Sequence, residues 1–298
     1  MVSEMTGDGL RSGGETSASF GERLVAAGKA RGQLCVGIDP HPHLLEQWGL
    51  PHSADGLRTF SLTCVEAFAD TAAAVKPQVA FFERFGSAGF AVLEETLAAL
   101  REAGCLSIAD AKRGDIGSTM AGYADAWMDP ASPLRADAVT VSPYLGVGAL
   151  QPVFDKAVET GAGFFVLAAT SNPEARDVQN AAVARQDDGD SGERELTVAQ
   201  SVVDECARYN AQAPGVGNGG VVVGATVSHP PRLDELNGPV LLPGVGAQGG
   251  GAKDVRAIMG KTPELGFANV SRSVLSAGPQ VADLRKQARR VAAQFAAQ

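Results

Sequence analysis

The sequence predicts an α/β chain folded as a (β/α)8 TIM barrel. Two observations predict it: eight short apolar runs recur along the chain, and stretches of helical periodicity alternate with them. Near-continuous apolar runs fit strands buried on both faces. Eight strand and helix alternations fit a closed parallel barrel better than an open sheet.

In chain order, residues 1–19 are rich in Ser, Gly, Glu and Thr and lack an apolar core. They read as a flexible N-terminal tail, not a secretion signal. Residues 20–298 then form a single barrel domain. Helices are expected at 20–31, 60–73, 90–103, 120–128, 196–210 and 281–297. Strands are expected at 34–39, 73–81, 106–112, 138–143, 163–170, 221–226, 239–244 and 267–273. The longest irregular stretch, 173–220, contains RQDDGDSGERE and reads as a solvated insertion between the fifth and sixth strands. Its functional alternative is a lid over the barrel mouth.

Composition narrows the function. The chain has 298 residues, 45% hydrophobic and 20% charged, with a formal net charge of −9. An acidic surface argues against nucleic acid as the main partner, because a phosphate backbone needs a basic one. No run approaches the ~18 apolar residues of a membrane span. Cys35, Cys64, Cys105 and Cys206 show no CxxC spacing, which fits reduced, buried thiols in the cytoplasm.

Barrel active sites lie where strands end and loops begin. Those positions hold Asp39, Lys76, Asp110, Lys112, Asp115, Ser171, Gln248 and Arg272. The strongest signal is Asp110-Ala111-Lys112-Arg113-Gly114-Asp115. Strand alternation puts Asp110 and Lys112 on one face, and Asp115 lies past the strand end. A self-satisfying buried ion pair would explain that motif alone. Lys76 and Asp39 at the ends of the two preceding strands turn it into an electrostatic array.

The run Pro243-Gly244-Val245-Gly246-Ala247-Gln248-Gly249-Gly250 contains GxGxxG. Only one strand follows it, so no dinucleotide-binding half can be built. A Gly-rich loop after the seventh strand, with Arg272 at the end of the eighth, suits a phosphate. His41-Pro42-His43 invites a metal reading, but the prolines place it in a loop and only His52 and His229 remain as further histidines. No metal and no cofactor is expected. Tyr123 and Trp127, one turn apart on a helix, are read as packing.

Together GIDP, VKP, DAKRGD, SPYLG, TSNP, PGVGAQGG and NVSRS, from about Cys35 to Ser276, resemble the orotidine 5′-monophosphate decarboxylase family in its longer-chain bacterial form. The resemblance implies a cofactor-independent carboxy-lyase that converts orotidine 5′-monophosphate (OMP) to UMP in pyrimidine biosynthesis. It implies that Lys112 delivers the proton to C6, with Asp110 beside the substrate carboxylate and Lys76 bracing the array. Asp39 would hold the ribose hydroxyls and Ser171 the pyrimidine amide edge. Gln248, Gly249, Gly250 and Arg272 would grip the phosphate. Asp115 and Thr119 would cross a homodimer interface into the partner's site.

Two alternatives share parts of this pattern. Metal-dependent sugar-phosphate decarboxylases and aldolases of the same superfamily share DxKxxD, but carry an acid where this chain has Lys76. A non-catalytic nucleotide-phosphate sensor would not need the intact array of lysines and acids.

Overall fold

Ser19 decides where the first helix begins. Its Oγ accepts the Glu22 N–H at 3.0 Å, and the Glu22 carboxylate accepts the Ser19 N–H at 2.9 Å. This reciprocal cap satisfies two backbone donors at the start of α1 (Phe20–Arg31). The computed structural model describes residues 18–183, 196–246 and 249–295. The expected tail therefore lies outside the described residues over 1–17. Ser19, assigned to that tail from sequence, is part of the barrel as its first cap.

The remaining elements alternate as expected. The first half comprises β1 (Leu34–Ile38), α2 (Pro42–Gln47), α3 (Ala54–Phe68), β2 (Ala74–Pro77), α4 (Val79–Glu83), α5 (Gly86–Glu102), β3 (Leu106–Arg113), α6 (Gly117–Met128) and β4 (Ala138–Val141). There follow α7 (Gln151–Thr160), β5 (Gly163–Ala169), α8 (Ala175–Gln179), α9 (Val198–Asn210), β6 (Gly219–Val223) and β7 (Val240–Pro243). The chain ends with α10 (Ala252–Met259), β8 (Gly266–Val270), α11 (Arg272–Leu275) and α12 (Val281–Ala292). All eight strands run parallel in sequence order, and β1 closes the barrel against β8. Cys35 is the seam, opposite Ala74 on one side and Asn269 on the other.

The barrel interior has two levels. The lower one is apolar and includes Cys35, Ala74, Ile108, Ala138, Phe165 and Phe267, with Phe20 and Leu24 of α1 packed against it. The Phe20 ring meets Phe165 edge-on at 5.9 Å. A Cβ at Gly163 would fall 2.1 Å from the Phe20 ring, so glycine there admits the plug. Two residues further along five of these strands stand Gly37, Lys76, Asp110, Thr140 and Asn269. Because strand side chains repeat with period two, these positions point inward as well. One step up the barrel on these five strands, the interior turns from apolar to largely polar.

The structure moves several boundaries. The helix expected at 60–73 runs Ala54–Phe68, because the Ser53 hydroxyl caps it through the Gly56 N–H. The expected strand 73–81 stops at Pro77 and gives way to α4. His43 does not lie in a loop: Pro42 starts α2, where its fixed φ suits the first helical turn and its missing N–H costs nothing. Helix α7 was not expected; it buries only Val153, Phe154 and Ala157, too short a pattern to stand out.

The stretch 173–220 is irregular only in part, since it includes α8 and α9. Residues 184–195 lie outside the described residues, and with them the bulk of the acidic insertion. Its two flanks pair in an antiparallel bridge between Ala182 and Thr197. Among the described residues no helix is long and apolar enough to cross a membrane.

Candidate active site at the barrel mouth

The polar upper level opens into a cavity of about 420 Å³ at the C-terminal ends of the strands. Asp39, Lys76, Asp110, Lys112 and Arg272, all chosen from sequence, line it together. Gln78, Thr140, Asn269 and Ser271 complete its polar half. Leu167, Val222, Leu241 and Pro243 of β5, β6 and β7 form the opposite, largely apolar half. Such a mouth can hold a flat ring against the apolar wall with one edge facing the charges.

Asp110 is the centre. One carboxylate oxygen, Oδ2, accepts Lys76 Nζ at 2.5 Å and Gln78 Nε2 at 3.0 Å. The other, Oδ1, accepts Lys112 Nζ at 2.6 Å and the Thr140 hydroxyl at 2.9 Å. Four donors fill the lone pairs of one buried carboxylate, which is what burial of a charge requires. Burial pushes its carboxyl upward, but Lys76 and Lys112 more than offset this and hold it well below the usual carboxylate range. Burial likewise pushes Lys76 down, and Asp110 and Asp39 outweigh it, leaving the ammonium above its ordinary value. Lys76 is buried whereas Lys112 is exposed to the cavity, so one lysine braces the array and the other faces a ligand.

Lys112 sits at a break in the strand. Its φ is 49°, and the register between β3 and β4 shifts between Ala109 and Arg113. A left-handed conformation costs a side-chain-bearing residue about 1–3 kcal/mol, and such positions cluster at functional sites. On the far side of the bulge, Arg113 pairs with Glu83 and lies 5.8 Å from the Tyr123 and Trp127 rings. That contact, with Trp127 buried, agrees with the packing reading of both aromatics.

Two acceptors in the mouth lack partners. The Oδ1 atoms of Asp39 and Asn269 are buried without a hydrogen bond among the described residues. Asp39 follows the end of β1 and Asn269 stands on the neighbouring β8, and a Cβ at Gly37 would fall 2.1 Å from Ser271 Oγ and 2.7 Å from Asp39 Oδ1. Unsatisfied buried acceptors in a cleft are what a ligand's hydroxyls complete. Arg272, exposed at the rim, forms no side-chain ion pair or hydrogen bond among the described residues.

Other expected site residues lie elsewhere. Asp115 is beyond β3 and outside the cavity, its Oδ1 accepting the Ile116 N–H at 2.8 Å. Thr119 is exposed on α6. Ser171 lines a second cavity after β5, which shares Thr170 with the mouth. Gln248 lies outside the described residues. The N–H groups of Gly249 and Gly250 are used within their own turn, bonding to the Gly246 and Gly244 carbonyls at 3.0 and 3.2 Å.

His41 lines the mouth with its ring 4.3 Å from Phe81, and burial first, with His43 and two arginines, lowers its pKa against the pull of Asp39. Among the described residues no three His, Cys, Asp or Glu side chains form a metal-binding group. Gln78, Thr140 and Asn269 were not singled out from sequence. The signal was available: each follows an inward strand residue by an even number of positions.

Residues 32–287 match the family model described as orotidine 5′-phosphate decarboxylase / HUMPS family. The chain is 60% identical over 280 residues to an orotidine 5′-phosphate decarboxylase of Corynebacterium glutamicum, covering 93% of this chain and 98% of the relative. It is 55% identical over 276 residues to that of Salinispora tropica, covering 92% and 96%. Among solved structures, a Streptomyces avermitilis protein provisionally assigned as an orotidine 5′-phosphate decarboxylase superposes with a TM-score of 0.87 at 49% identity, covering 96% and 98%. The Leishmania donovani OMP decarboxylase superposes with a TM-score of 0.71 at 30% identity, covering 93% and 98%. The family match spans nearly the whole barrel, and the chain belongs to the orotidine 5′-phosphate decarboxylase / HUMPS family.

Proposed function

We propose that this chain decarboxylates OMP to UMP and CO2 in pyrimidine biosynthesis, without a cofactor, and that Lys112 is the proton donor to C6. The observation that carries the reading is the Lys76–Asp110–Lys112 chain of ion pairs at the centre of the mouth, with the Lys112 ammonium open to the cavity.

Loss of CO2 from C6 of orotate leaves a carbanion in the ring plane, where no carbonyl delocalises it. The stabilising charge must therefore be held in place before the reaction begins. Lys112 supplies that charge and the proton. Asp110 fixes its position, and Lys76 and Gln78 fix Asp110. Leu167, Val222 and Leu241 offer the low-dielectric wall in which such a field is strong. Within the HUMPS family, the metal-dependent enzymes carry an acid where this chain has Lys76, and the buried pairing of Lys76 with Asp110 favours the metal-independent branch.

The substrate's remaining groups have candidate partners. The unpaired Asp39 Oδ1 suits ribose hydroxyls, and the unpaired Arg272 guanidinium suits the phosphate. Gln248, Gly249 and Gly250 join Arg272 there if the turn rearranges to release its N–H groups, and Ser171 reads the pyrimidine edge from the adjoining cavity.

A homodimer is part of the proposal. Asp115 and Thr119 lie outside their own mouth, beside an apolar rim in which Ile116 is 62% exposed, Tyr144 81% and Leu145 53%. Exposed apolar side chains of this size, on the loops that follow the neighbouring strands β3 and β4, favour a protein partner. A two-fold axis there would deliver Asp115 and Thr119 to the other subunit's array. The four free, buried cysteines support a reducing, cytoplasmic compartment.

The test is direct. Purified protein mixed with OMP should bleach the substrate absorbance and release UMP, at the same rate before and after treatment with EDTA. Loss of activity with chelator and its return with magnesium would move the chain to the metal-dependent members of the family.

A further inference from the structure

We propose that Thr140 is a positioning residue for the reaction, holding Lys112 by its backbone and its ammonium at once. The inference rests on the decarboxylase reading above and deepens it.

The β3–β4 ladder pairs Ala109 with Val139, then resumes only at Arg113 with Val141. Lys112 falls in the gap at φ 49°. A bulge of this kind turns a backbone N–H out of the ladder, and a buried N–H needs another acceptor. Thr140 Oγ1 is that acceptor, 3.0 Å from the Lys112 nitrogen.

The hydroxyl's own proton goes to Asp110 Oδ1 at 2.9 Å. The same Oδ1 accepts the Lys112 ammonium at 2.6 Å. A closed ring results: Thr140 hydroxyl, Asp110 carboxylate, Lys112 side chain, Lys112 backbone, and back to Thr140. The ring fixes both ends of the proton donor through one oxygen atom.

Nothing about strand packing calls for a hydroxyl here. The other residues of β4 are Ala138, Val139 and Val141, and valine has nearly the shape of threonine. Thr140 is 1% exposed, so its oxygen would be costly there without both bonds. Removing it frees the turn at Lys112 while leaving the cavity's shape intact. The loss then falls on alignment of the ammonium with the reacting carbon, not on binding.

The experiment compares full-length wild type, Thr140→Val and Thr140→Ser for kcat and KM with OMP, for UMP affinity by calorimetry and for the pH profile. Thr140→Val should lower kcat by about tenfold or more, the effect of a lost hydrogen bond to a charged group. Its UMP affinity should stay within about twofold, since the hydroxyl is buried and both of its hydrogen bonds go to protein groups. Its kcat/KM pH profile should keep the wild-type shape, because Lys76 and Lys112 still hold Asp110 ionised. Thr140→Ser, which keeps the hydroxyl, should stay near wild type. If Thr140→Val does not fold, Thr140→Cys carries the same comparison, with a weaker donor and acceptor and an intermediate kcat. A valine variant with wild-type kcat, a serine variant as impaired as valine, or a parallel fall of kcat and UMP affinity each overturns the inference. A wild-type chain that does not turn over OMP at all would instead remove the function reading beneath it.

Discussion

Asp110 and Lys112, two residues apart on β3, meet at 2.6 Å across a bulge in their own strand. The pair divides labour by burial: Asp110 is enclosed and Lys112 opens to the cavity. Their substitutions should therefore fail differently. Lys112→Ala should fold with near wild-type stability, bind UMP and lose turnover. Asp110→Ala removes the only carboxylate paired with buried Lys76 among the described residues, leaving Asp39 as its nearby charge, and should cost about 3–5 kcal/mol of stability as well as turnover. Urea unfolding alongside the activity assay separates the two. Equal destabilisation would contradict the division.

The Lys76–Asp110 pair predicts a pH window. Asp110 is held below the usual carboxylate range, so its contribution is present above the unfolded value near ~3.9 and fades as pH falls through the folded one. Lys76 is raised, so its contribution is complete below about 10.4 and fades as pH rises through its folded value. The stability difference between wild type and a Lys76→Met/Asp110→Leu double variant should be flat from about pH 5 to about pH 9 and change only outside it. A slope inside that range would mean the pair is not fully ionised.

Arg272 should matter for affinity and not for folding, since it is exposed and pairs with nothing among the described residues. Arg272→Ala should weaken UMP binding by ~2–5 kcal/mol with an unchanged melting temperature. Added guanidinium should restore part of the lost rate. Unaltered UMP affinity would place the phosphate elsewhere.

The shared-site proposal has a numerical test. If each site combines Lys112 of one chain with Asp115 of the other, Lys112→Ala and Asp115→Asn homodimers are both nearly inactive. Random remixing makes half the dimers mixed, each with one intact site, so about a quarter of wild-type activity should return. Exchange verified by size exclusion or mass spectrometry, with no activity recovered, would show that Asp115 serves its own chain.

The thiols should be inert. Burial raises Cys35, Cys105 and Cys206 to about 12 and raises Cys64 well above its ordinary value. At pH 8 a thiol reagent should label none of the four in the native protein and all four in denaturant. Rapid labelling of any one in native protein would reveal local opening around that strand or helix.

The fold was legible because a parallel barrel buries both faces of every strand, and this writes eight apolar runs into the chain. Local chemistry fixed less. The start of α3 depends on the Ser53 cap rather than on apolar spacing, and α7 hides behind only three buried residues. In the site, charged residues on apolar strands stood out, so Lys76, Asp110 and Lys112 were found. Thr140 and Asn269 were not: their two-residue spacing from Ala138 and Phe267 was there to read, but an uncharged polar residue near a strand end stands out less than a charged one.

The sequence by itself determined the barrel, through runs apolar on both faces, and the inward direction of Lys76 and Asp110 with the chemical character of the mouth, through the two-residue period along a strand. Tertiary structure decided the rest. Closure of β8 on β1 sets Asn269 opposite Cys35 and so into the mouth that Asp39 also lines, and pairing of β3 with β4 sets Thr140 under the bulge at Lys112. These contacts join residues about 230 and 28 positions apart. A hydrogen bond needs its two atoms within about 3 Å, and only the register between neighbouring strands fixes a distance that small.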